Sequence, residues 1–357
     1  MQECKNAEMQ RGIFAFLRSC VSAFPRFAPA LFAAPAAFAL VLSPPAPANW
    51  GLTRIGKLAV DGSSRTADGT GVGIYVIGTG VNSQHDDFIG PDGTSRVTFV
   101  GDFCSGQRRK STREVDARDG FDGHETHVAS YAAGKRSGVA TAARIYSLRT
   151  TWQGDDTNDV DGGRYCRRGG DTDVAVAAAI DWIRLHGRQE HGPGPAVVNY
   201  SGGRGNQTVR RAILEATEAG YLFTLSGNTG GAVELHWGLC EADPSIPCVP
   251  RQALVVAGTT ERDTPLGSGY GDLLGLYAPA AGLYGAGTES DTRLTIPEQH
   301  CSPPCSAGDS FGAPFVAGAA AVFLQHHAAA RPAEVRDAIL RGATYVAGLP
   351  RKLLQVN

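Results

Sequence analysis

No single sign of charge dominates the sequence. Its 33 lysines and arginines nearly balance 35 aspartates and glutamates, which leaves a formal net charge of −2 at pH 7. A strong electrostatic field that would attract nucleic acid or an anionic membrane surface is therefore excluded. We expect the partner to be a protein or an uncharged molecule. With 42% hydrophobic and only 19% charged residues, the 357-residue chain is not a disordered one, because it can bury a large core.

The spacing of ligands that zinc requires is also missing. The sequence has no Cys-x-x-Cys pair and no histidines at zinc-finger spacing, so we expect neither a metal site nor a cofactor, although structural calcium cannot be read from a sequence. Two of the eight cysteines lie near the N-terminus, and the other six are Cys104, Cys166, Cys240, Cys248, Cys301 and Cys305. Two close pairs, 240 with 248 and 301 with 305, could each close a single loop by a disulfide bond.

No apolar run reaches the length of a membrane span. The stretch Phe27–Leu42 has about 16 residues with two prolines inside it, and a spanning helix needs about 20. Basic residues precede this stretch, and Ala46–Ala48 resembles a cleavage site. We therefore expect residues 1–48 to be a secretory signal or leader and the protein to be exported, with a disordered leader or an organelle-targeting segment as the alternative.

From Trp50 onward, short apolar stretches alternate with stretches of helical pattern. The strand-like stretches are Gly73–Ile77, Ala143–Leu148, Ala196–Asn199, Tyr221–Leu225 and Ala253–Ala257. The helix-like stretches are His124–Ala133, Thr172–Leu185, Thr208–Ala219, Phe311–His327 and Pro332–Leu340. Such alternation predicts βαβ units on a parallel sheet. Because no repeat, linker or change of composition divides residues 49–357, we expect one α/β domain there.

Three short motifs place polar residues where catalysis could use them. His124 follows a glycine turn and opens an apolar helix, and Asn228 ends an apolar strand with an amide that could donate to an oxyanion. Ser310 precedes an alanine-rich helix, whose N-terminal N–H groups and dipole favour negative charge. Each residue alone has an ordinary explanation as a helix cap, a core residue or a turn residue. Together and in this order they favour a shared catalytic site.

These motifs resemble those of the subtilisin-type serine peptidases, the subtilases, and most closely the proteinase K branch. The resemblance extends from Trp50 to Asn357, and four further segments carry it: Trp50–Ile55, Tyr75–Val81, Val198–Gly203 and Leu349–Leu354. It implies a doubly wound, mainly parallel sheet with helices on both faces. It also implies an endopeptidase that hydrolyses peptide bonds by acyl transfer to water.

The resemblance assigns roles to individual residues. It makes Ser310 the nucleophile, His124 the general base, and Asn228 with the Ser310 N–H the oxyanion hole. We expect the Ser310 hydroxyl to lie within hydrogen-bond reach of the His124 ring at the carboxyl ends of the parallel strands. An extended peptide substrate would bind between two segments, which are Ser201, Gly202 and Gly203 on one side and Leu225, Ser226 and Gly227 on the other.

Two further expectations follow from the resemblance. Subtilases usually carry a propeptide that assists folding, and the residues before Asn49 are too few to hold both a leader and such a module. The chain is therefore expected to fold without a propeptide, or the sequence is incomplete. The active form is expected to be a monomer.

The sequence departs from the family pattern at the site itself. Gly78 occupies the position of the catalytic aspartate, whose loss lowers kcat by about 10⁴-fold in serine peptidases. Glu125 replaces the glycine that follows the histidine, and Asp309 replaces the threonine that precedes the serine. Because residues adjacent to His124 or Ser310 usually point elsewhere, we expect neither carboxylate to replace the aspartate. The sequence therefore favours a weakened endopeptidase, with an inactive homologue that binds extended peptides (a pseudoprotease) as the alternative.

Overall fold

The computed structural model of the protein describes residues 49–57, 67–108, 123–151, 173–192, 194–202, 205–227, 253–266, 271, 273–297 and 307–356. All of them belong to one compact unit, which spans Pro45–Asn357. The helices are α1 (Trp50–Arg54), α2 (His124–Ala133), α3 (Asp173–His191), α4 (Gln207–Glu218), α5 (Asp309–His326) and α6 (Pro332–Gly342). A short 3₁₀ helix covers Asp86–Phe88.

Seven parallel strands form the central sheet of this unit. They are β1 (Gly73–Gly78), β2 (Val97–Asp102), β3 (Arg144–Arg149), β4 (Ala196–Tyr200), β5 (Leu222–Ser226), β6 (Leu254–Thr259) and β7 (Leu274–Pro279). Their order across the sheet is β2-β3-β1-β4-β5-β6-β7. Two short strands, β8 (Gly285–Ala286) and β9 (Leu294–Thr295), pair antiparallel beside it. The predicted parallel sheet is confirmed, with β2 and β7 as additional strands at its two edges.

The sheet is buried on both faces, so its strands are apolar at successive positions rather than at alternate ones. Along β1, Ile74 and Val76 join the core cluster that contains residues of α2 and α5. Tyr75 and Ile77 join the opposite cluster, which contains residues of α3 and α4. Helices therefore cover both faces of the sheet, as the sequence resemblance implied.

The strand order reverses next to β1, and this reversal positions the site. From β1 the chain adds β2 and β3 on one side of it, and then adds β4 to β7 on the other side. Doubly wound sheets bind ligands at the carboxyl ends of their strands near such a reversal. Helices α2 and α5 pack against each other and against β1, so the first turns of both helices lie near the end of β1 at Gly78.

Candidate active site

His124 is the first residue of α2, and its ring is held from several sides. Gly123 precedes it with φ 64°, a left-handed conformation that glycine adopts without strain, and this turn directs the chain into the helix. The ring centroid lies 5.4 Å from that of Phe311, and only 17% of the side chain is exposed. Its Nε2 atom lies 3.0 Å from the Ser310 hydroxyl oxygen. The expected hydrogen bond between these two residues is present.

Ser310 lies in the first turn of α5, where the helix has no side-chain cap. Gly308 occupies the N-cap position and makes no side-chain hydrogen bond to the turn. The first N–H groups of a helix lack intrahelical acceptors, and together with the helix dipole they favour negative charge nearby. A negative charge that develops on a group bound to Ser310 would therefore be stabilised.

Glu125 does not point away from His124, and the expectation that it would is wrong. Its Oε1 atom lies 2.9 Å from Nδ1 of His124, on the side of the ring opposite Ser310. Its Oε2 atom accepts hydrogen bonds from the backbone N–H of Thr79, at 3.0 Å, and from the Thr79 hydroxyl. Ser310, His124 and Glu125 thus form one continuous hydrogen-bonded chain.

Gly78 leaves open the space that the Glu125 carboxylate fills. A Cβ atom built on Gly78 would lie 2.2 Å from both Cδ and Oε1 of Glu125, far inside van der Waals contact. The carboxylate therefore occupies the volume where a side chain of residue 78 would begin. The two departures from the family pattern are therefore adjacent in the structure: the missing side chain at residue 78 and the added carboxylate of residue 125 share the same volume.

Burial and hydrogen bonding act on Glu125 in opposite directions. Burial of the carboxyl group raises its pKa, but the charge and hydrogen bond of His124, together with two hydrogen bonds from Thr79, outweigh burial and bring the pKa below its ordinary value of about 4.5. The Glu125 side chain is 4% exposed. The residue is thus a buried carboxylate that is ionised at neutral pH.

Asp309, the second new carboxylate, points into the core as expected. It is 1% exposed, and its Oδ1 atom accepts a hydrogen bond from the Gly258 N–H at 2.8 Å. Its Oδ2 atom lies 2.6 Å from where a Cβ of Gly227 would be, so it packs closely against the end of β5. Asp309 therefore ties the first turn of α5 to β6 and does not take the place of the missing aspartate.

The described residues of the two segments predicted to bind substrate lie side by side where β4 and β5 end. Leu225 pairs with both neighbouring strands and lies in the core, so its backbone is already occupied within the sheet. Ser201 and Gly202 follow the last paired residue of β4, and Ser226 and Gly227 lie at the corresponding end of β5. The Ser201 hydroxyl donates a hydrogen bond to the Ser310 carbonyl at 2.7 Å.

Two predicted site residues lie outside the described part of the chain. These are Asn228, the expected oxyanion donor, and Gly203. Gly202 is described, and a Cβ atom there would lie 2.3 Å from the Tyr200 ring, so a larger side chain at this position would collide with that ring. The roles of all predicted site residues stay predictions.

Sequence reasoning missed Glu125 and Thr79 as members of the site. A signal for Glu125 was nevertheless present, because an aspartate position had become glycine while a glycine next to the histidine had become glutamate.

Among the residues that the structure describes, no three His, Cys, Asp or Glu side chains cluster as metal ligands would. None of the helices in these ranges has the length and apolar character needed to cross a membrane.

The sequence matches the model of the subtilase family over residues 69–354. An extracellular serine proteinase of Thermus sp. (strain Rt41A) is 30% identical over 303 residues, which cover 84% of this chain and 62% of that protein. Proteinase T of Parengyodontium album is 29% identical over 283 residues, which cover 78% of this chain and 80% of that protein. Alkaline serine exoprotease A of Vibrio alginolyticus is 29% identical, and the match spans 47% of its length.

A solved structure supports the same relationship. A cold-adapted subtilisin-like serine proteinase superposes with a TM-score of 0.62 at 26% sequence identity, covering 87% of this chain and 98% of that chain. The doubly wound sheet described above is therefore the subtilisin-like fold that the sequence motifs implied.

Proposed function

Because the chain belongs to the subtilase family of serine peptidases, we propose that it is a serine endopeptidase in which Ser310 attacks the substrate and His124 is the general base. The observation that carries this proposal is the 3.0 Å contact between His124 Nε2 and the Ser310 hydroxyl. A serine activated by an imidazole at this distance is the arrangement that nucleophilic catalysis requires.

The proposed reaction proceeds in two acyl-transfer steps. Ser310 Oγ bonds to the carbonyl carbon of the peptide while His124 Nε2 takes the hydroxyl proton. The tetrahedral intermediate carries its charge on the former carbonyl oxygen, which the Ser310 N–H and the Asn228 amide are proposed to stabilise. The C–N bond then breaks as His124 gives its proton to the leaving amine. Water, deprotonated by the same imidazole, releases the acid and restores Ser310.

The activity is proposed to be substantial rather than residual. The expectation of a weakened enzyme assumed that no carboxylate reaches His124, and the contact at 2.9 Å with Glu125 removes that assumption. We therefore favour an active endopeptidase over a homologue that only binds peptides. The proposed reaction uses only side chains and backbone N–H groups of the protein and needs no cofactor, and the proposed active species is a monomer.

The proposed substrate is a protein or peptide bound in an extended conformation. The segments Ser201–Gly203 and Leu225–Gly227 are proposed to flank it, because the pairing of β4 with β5 ends beside Ser310. Ser201, Gly202, Ser226 and Gly227 have small side chains, which favours close approach of a peptide main chain.

The proposed place of action is outside the cytoplasm. Two observations support this proposal: residues 1–48 have the composition of a secretory leader, and the Thermus relative is an extracellular proteinase. A disulfide bond at Cys104 would fit this place of action, since disulfides persist in oxidising compartments.

A fluorophosphonate probe tests the proposed function directly. We expect the probe to label Ser310, as located by mass spectrometry, and the purified protein to hydrolyse casein. Ser310→Ala should abolish both, whereas Ser105→Ala, a change at an exposed serine, should affect neither. Labelling that persists in Ser310→Ala would identify another nucleophile. Absence of labelling in a folded protein that still binds extended peptides would favour the inactive homologue.

A further inference from the structure

We propose that Glu125 is the positioning residue for His124 and takes over the task of the aspartate that Gly78 replaces. The two residues form a reciprocal pair, in which the missing side chain at residue 78 makes room for the carboxylate from residue 125. This inference deepens the proposed function and rests on it for its catalytic consequence. Its structural part, the bond from Glu125 to His124, can be tested without activity.

The geometry fixes one tautomer of His124. Nδ1 faces the Glu125 Oε1 atom at 2.9 Å, and a carboxylate can only accept a hydrogen bond, so Nδ1 carries the proton. Nε2 is then left with a lone pair directed at the Ser310 hydroxyl, 3.0 Å away. This is the tautomer that a general base needs, and a nearby carboxylate also stabilises the imidazolium that forms during the reaction.

The length of the glutamate side chain allows a neighbour in sequence to act on the ring. His124 and Glu125 are the first two residues of α2, and successive residues of a helix point in different directions. The glutamate carboxylate lies one methylene further from the backbone than that of aspartate would, and it folds back to Nδ1 of His124. Thr79 then fixes the second oxygen through its N–H and hydroxyl, which follow directly after the end of β1.

The carboxylate is built into the protein rather than lying on its surface. It is buried, both of its oxygens accept hydrogen bonds, and it lies in the first turn of a helix, where the dipole favours a negative charge. Any side chain at residue 78 would displace it, because a Cβ there lies 2.2 Å from the carboxylate. Among the described residues, the carboxylate that contacts His124 thus comes from α2 instead of from β1.

A set of four variants tests the reciprocal pair by steady-state kinetics. Glu125→Gln keeps the shape but removes the charge, and we expect kcat to fall by about 10²- to 10⁴-fold with little change in KM. Gly78→Asp alone should not raise kcat, because its side chain collides with Glu125. The double variant Gly78→Asp with Glu125→Gly should recover most of the lost activity. Glu289→Gln, at an exposed glutamate, is the control and should retain the parent kcat.

The kinetic result has clear contrary outcomes. A Glu125→Gln protein that keeps the parent kcat would overturn the proposal, and so would a large gain of kcat in Gly78→Asp alone. If Glu125→Gln fails to fold, the double variant decides: kcat near that of the parent supports the proposal, whereas a folded double variant without activity contradicts it.

Nuclear magnetic resonance of the histidine side chains tests the positioning itself in the Ser310→Ala background. We expect a downfield proton signal from Nδ1–H of His124, assigned through its coupled ¹⁵N shift, and its loss in the protein that also carries Glu125→Gln. A signal that is absent, or unchanged by Glu125→Gln, would overturn the inference. The signal together with an inactive parent would retain the positioning and reject the proposed function, so the two failures are distinguishable.

Discussion

The Ser201 hydroxyl donates a hydrogen bond to the backbone carbonyl of Ser310 at 2.7 Å, although Ser201 lies at the end of β4 and Ser310 in the first turn of α5. The ordinary donor to this carbonyl would be the N–H four residues later, but that residue is Pro314, which has none. Ser201 supplies the missing donor and also accepts a hydrogen bond from the Asn199 amide at 3.0 Å. The turn that holds Ser310, the proposed nucleophile, is thereby tied to β4.

Ser201→Ala should therefore loosen this turn. The Ser310 carbonyl and the Asn199 amide would each lose a partner, and we expect the free energy of unfolding to fall by about 1 to 3 kcal/mol. A small displacement of Ser310 should also lower kcat, by about 10-fold or more. Urea unfolding and peptide hydrolysis measure the two effects. Ser201→Thr retains a hydroxyl, so its free energy of unfolding and its kcat should both fall less than those of Ser201→Ala. A Ser201→Ala protein as stable as the parent would refute this role.

Gly78→Ala should lower activity even though the added methyl group contacts Glu125 and not Ser310. The methyl carbon would lie 2.2 Å from the Glu125 carboxylate and displace it from His124, so we expect a fall in kcat that approaches the effect of Glu125→Gln. Gly275→Ala, in β7, is the matched control, because its nearest neighbour, the Val255 carbonyl oxygen, lies 3.2 Å from the added carbon, which is a tight contact but not an overlap. Equal kcat values for Gly78→Ala and the parent would contradict the tight fit.

Asp87 should contribute strongly to the stability of the region around α2. It is buried and accepts hydrogen bonds from the Ser130 and Ser137 hydroxyls and from the Arg136 N–H. Asp87→Ala leaves these donors without their acceptor, so we expect a loss of at least about 1.5 to 3 kcal/mol in the free energy of unfolding. Asp86→Ala, at the exposed neighbour, should change it by less than about 0.5 kcal/mol. Similar losses in both variants would show that the buried network is unimportant.

Stability should fall in acid because two buried groups bind protons less readily in the folded protein than in the unfolded chain. Burial lowers the pKa of His127, despite its hydrogen bond with the Gly123 carbonyl, and the pKa of Glu125 is also lowered. When the folded pKa is depressed, the unfolded chain binds more protons, and stability rises with pH. The His127 contribution is present above about pH 6.5 and lost as pH falls below it, and the Glu125 contribution is lost below about pH 4.5.

The melting temperature measured across this pH range in Ser310→Ala, which prevents self-digestion, checks the prediction. We expect it to decline from neutral pH towards pH 4, and adding His127→Gln should flatten the upper part of the decline. A melting temperature that rises as the solution is acidified would contradict the assigned direction of both pKa shifts.

The sequence predicted the interior of the sheet better than its edges. Strands β1 and β3 to β6 are apolar on both faces, and their alternation with helical patterns identified them. The missed strands, β2 and β7, lie at the two edges of the sheet. β2 is partly exposed, and β7 contains Gly275 and ends at Pro279, residues that disfavour a strand in a pattern-based prediction.

The site was predictable where local sequence determines local structure. Glycine turns that lead into apolar helices located His124 and Ser310, and the structure places them in contact. The position of the Glu125 carboxylate depends instead on the space beside Gly78 and on Thr79, both on β1 or directly after it, more than 40 residues away. A contact of that kind follows from the packing of α2 against β1, which no local pattern encodes.

The shared volume at residues 78 and 125 also has an evolutionary consequence. Starting from this sequence, an aspartate gained at residue 78 meets an occupied space, and a glycine gained at residue 125 removes the only carboxylate that reaches His124 in the described structure. If Glu125 positions His124 as proposed, we expect either single step to lower activity and only both changes together to give a working alternative. We therefore expect the pair to resist replacement by single substitutions, and a substitution at either position to have a different effect in relatives that carry aspartate and glycine at these two positions.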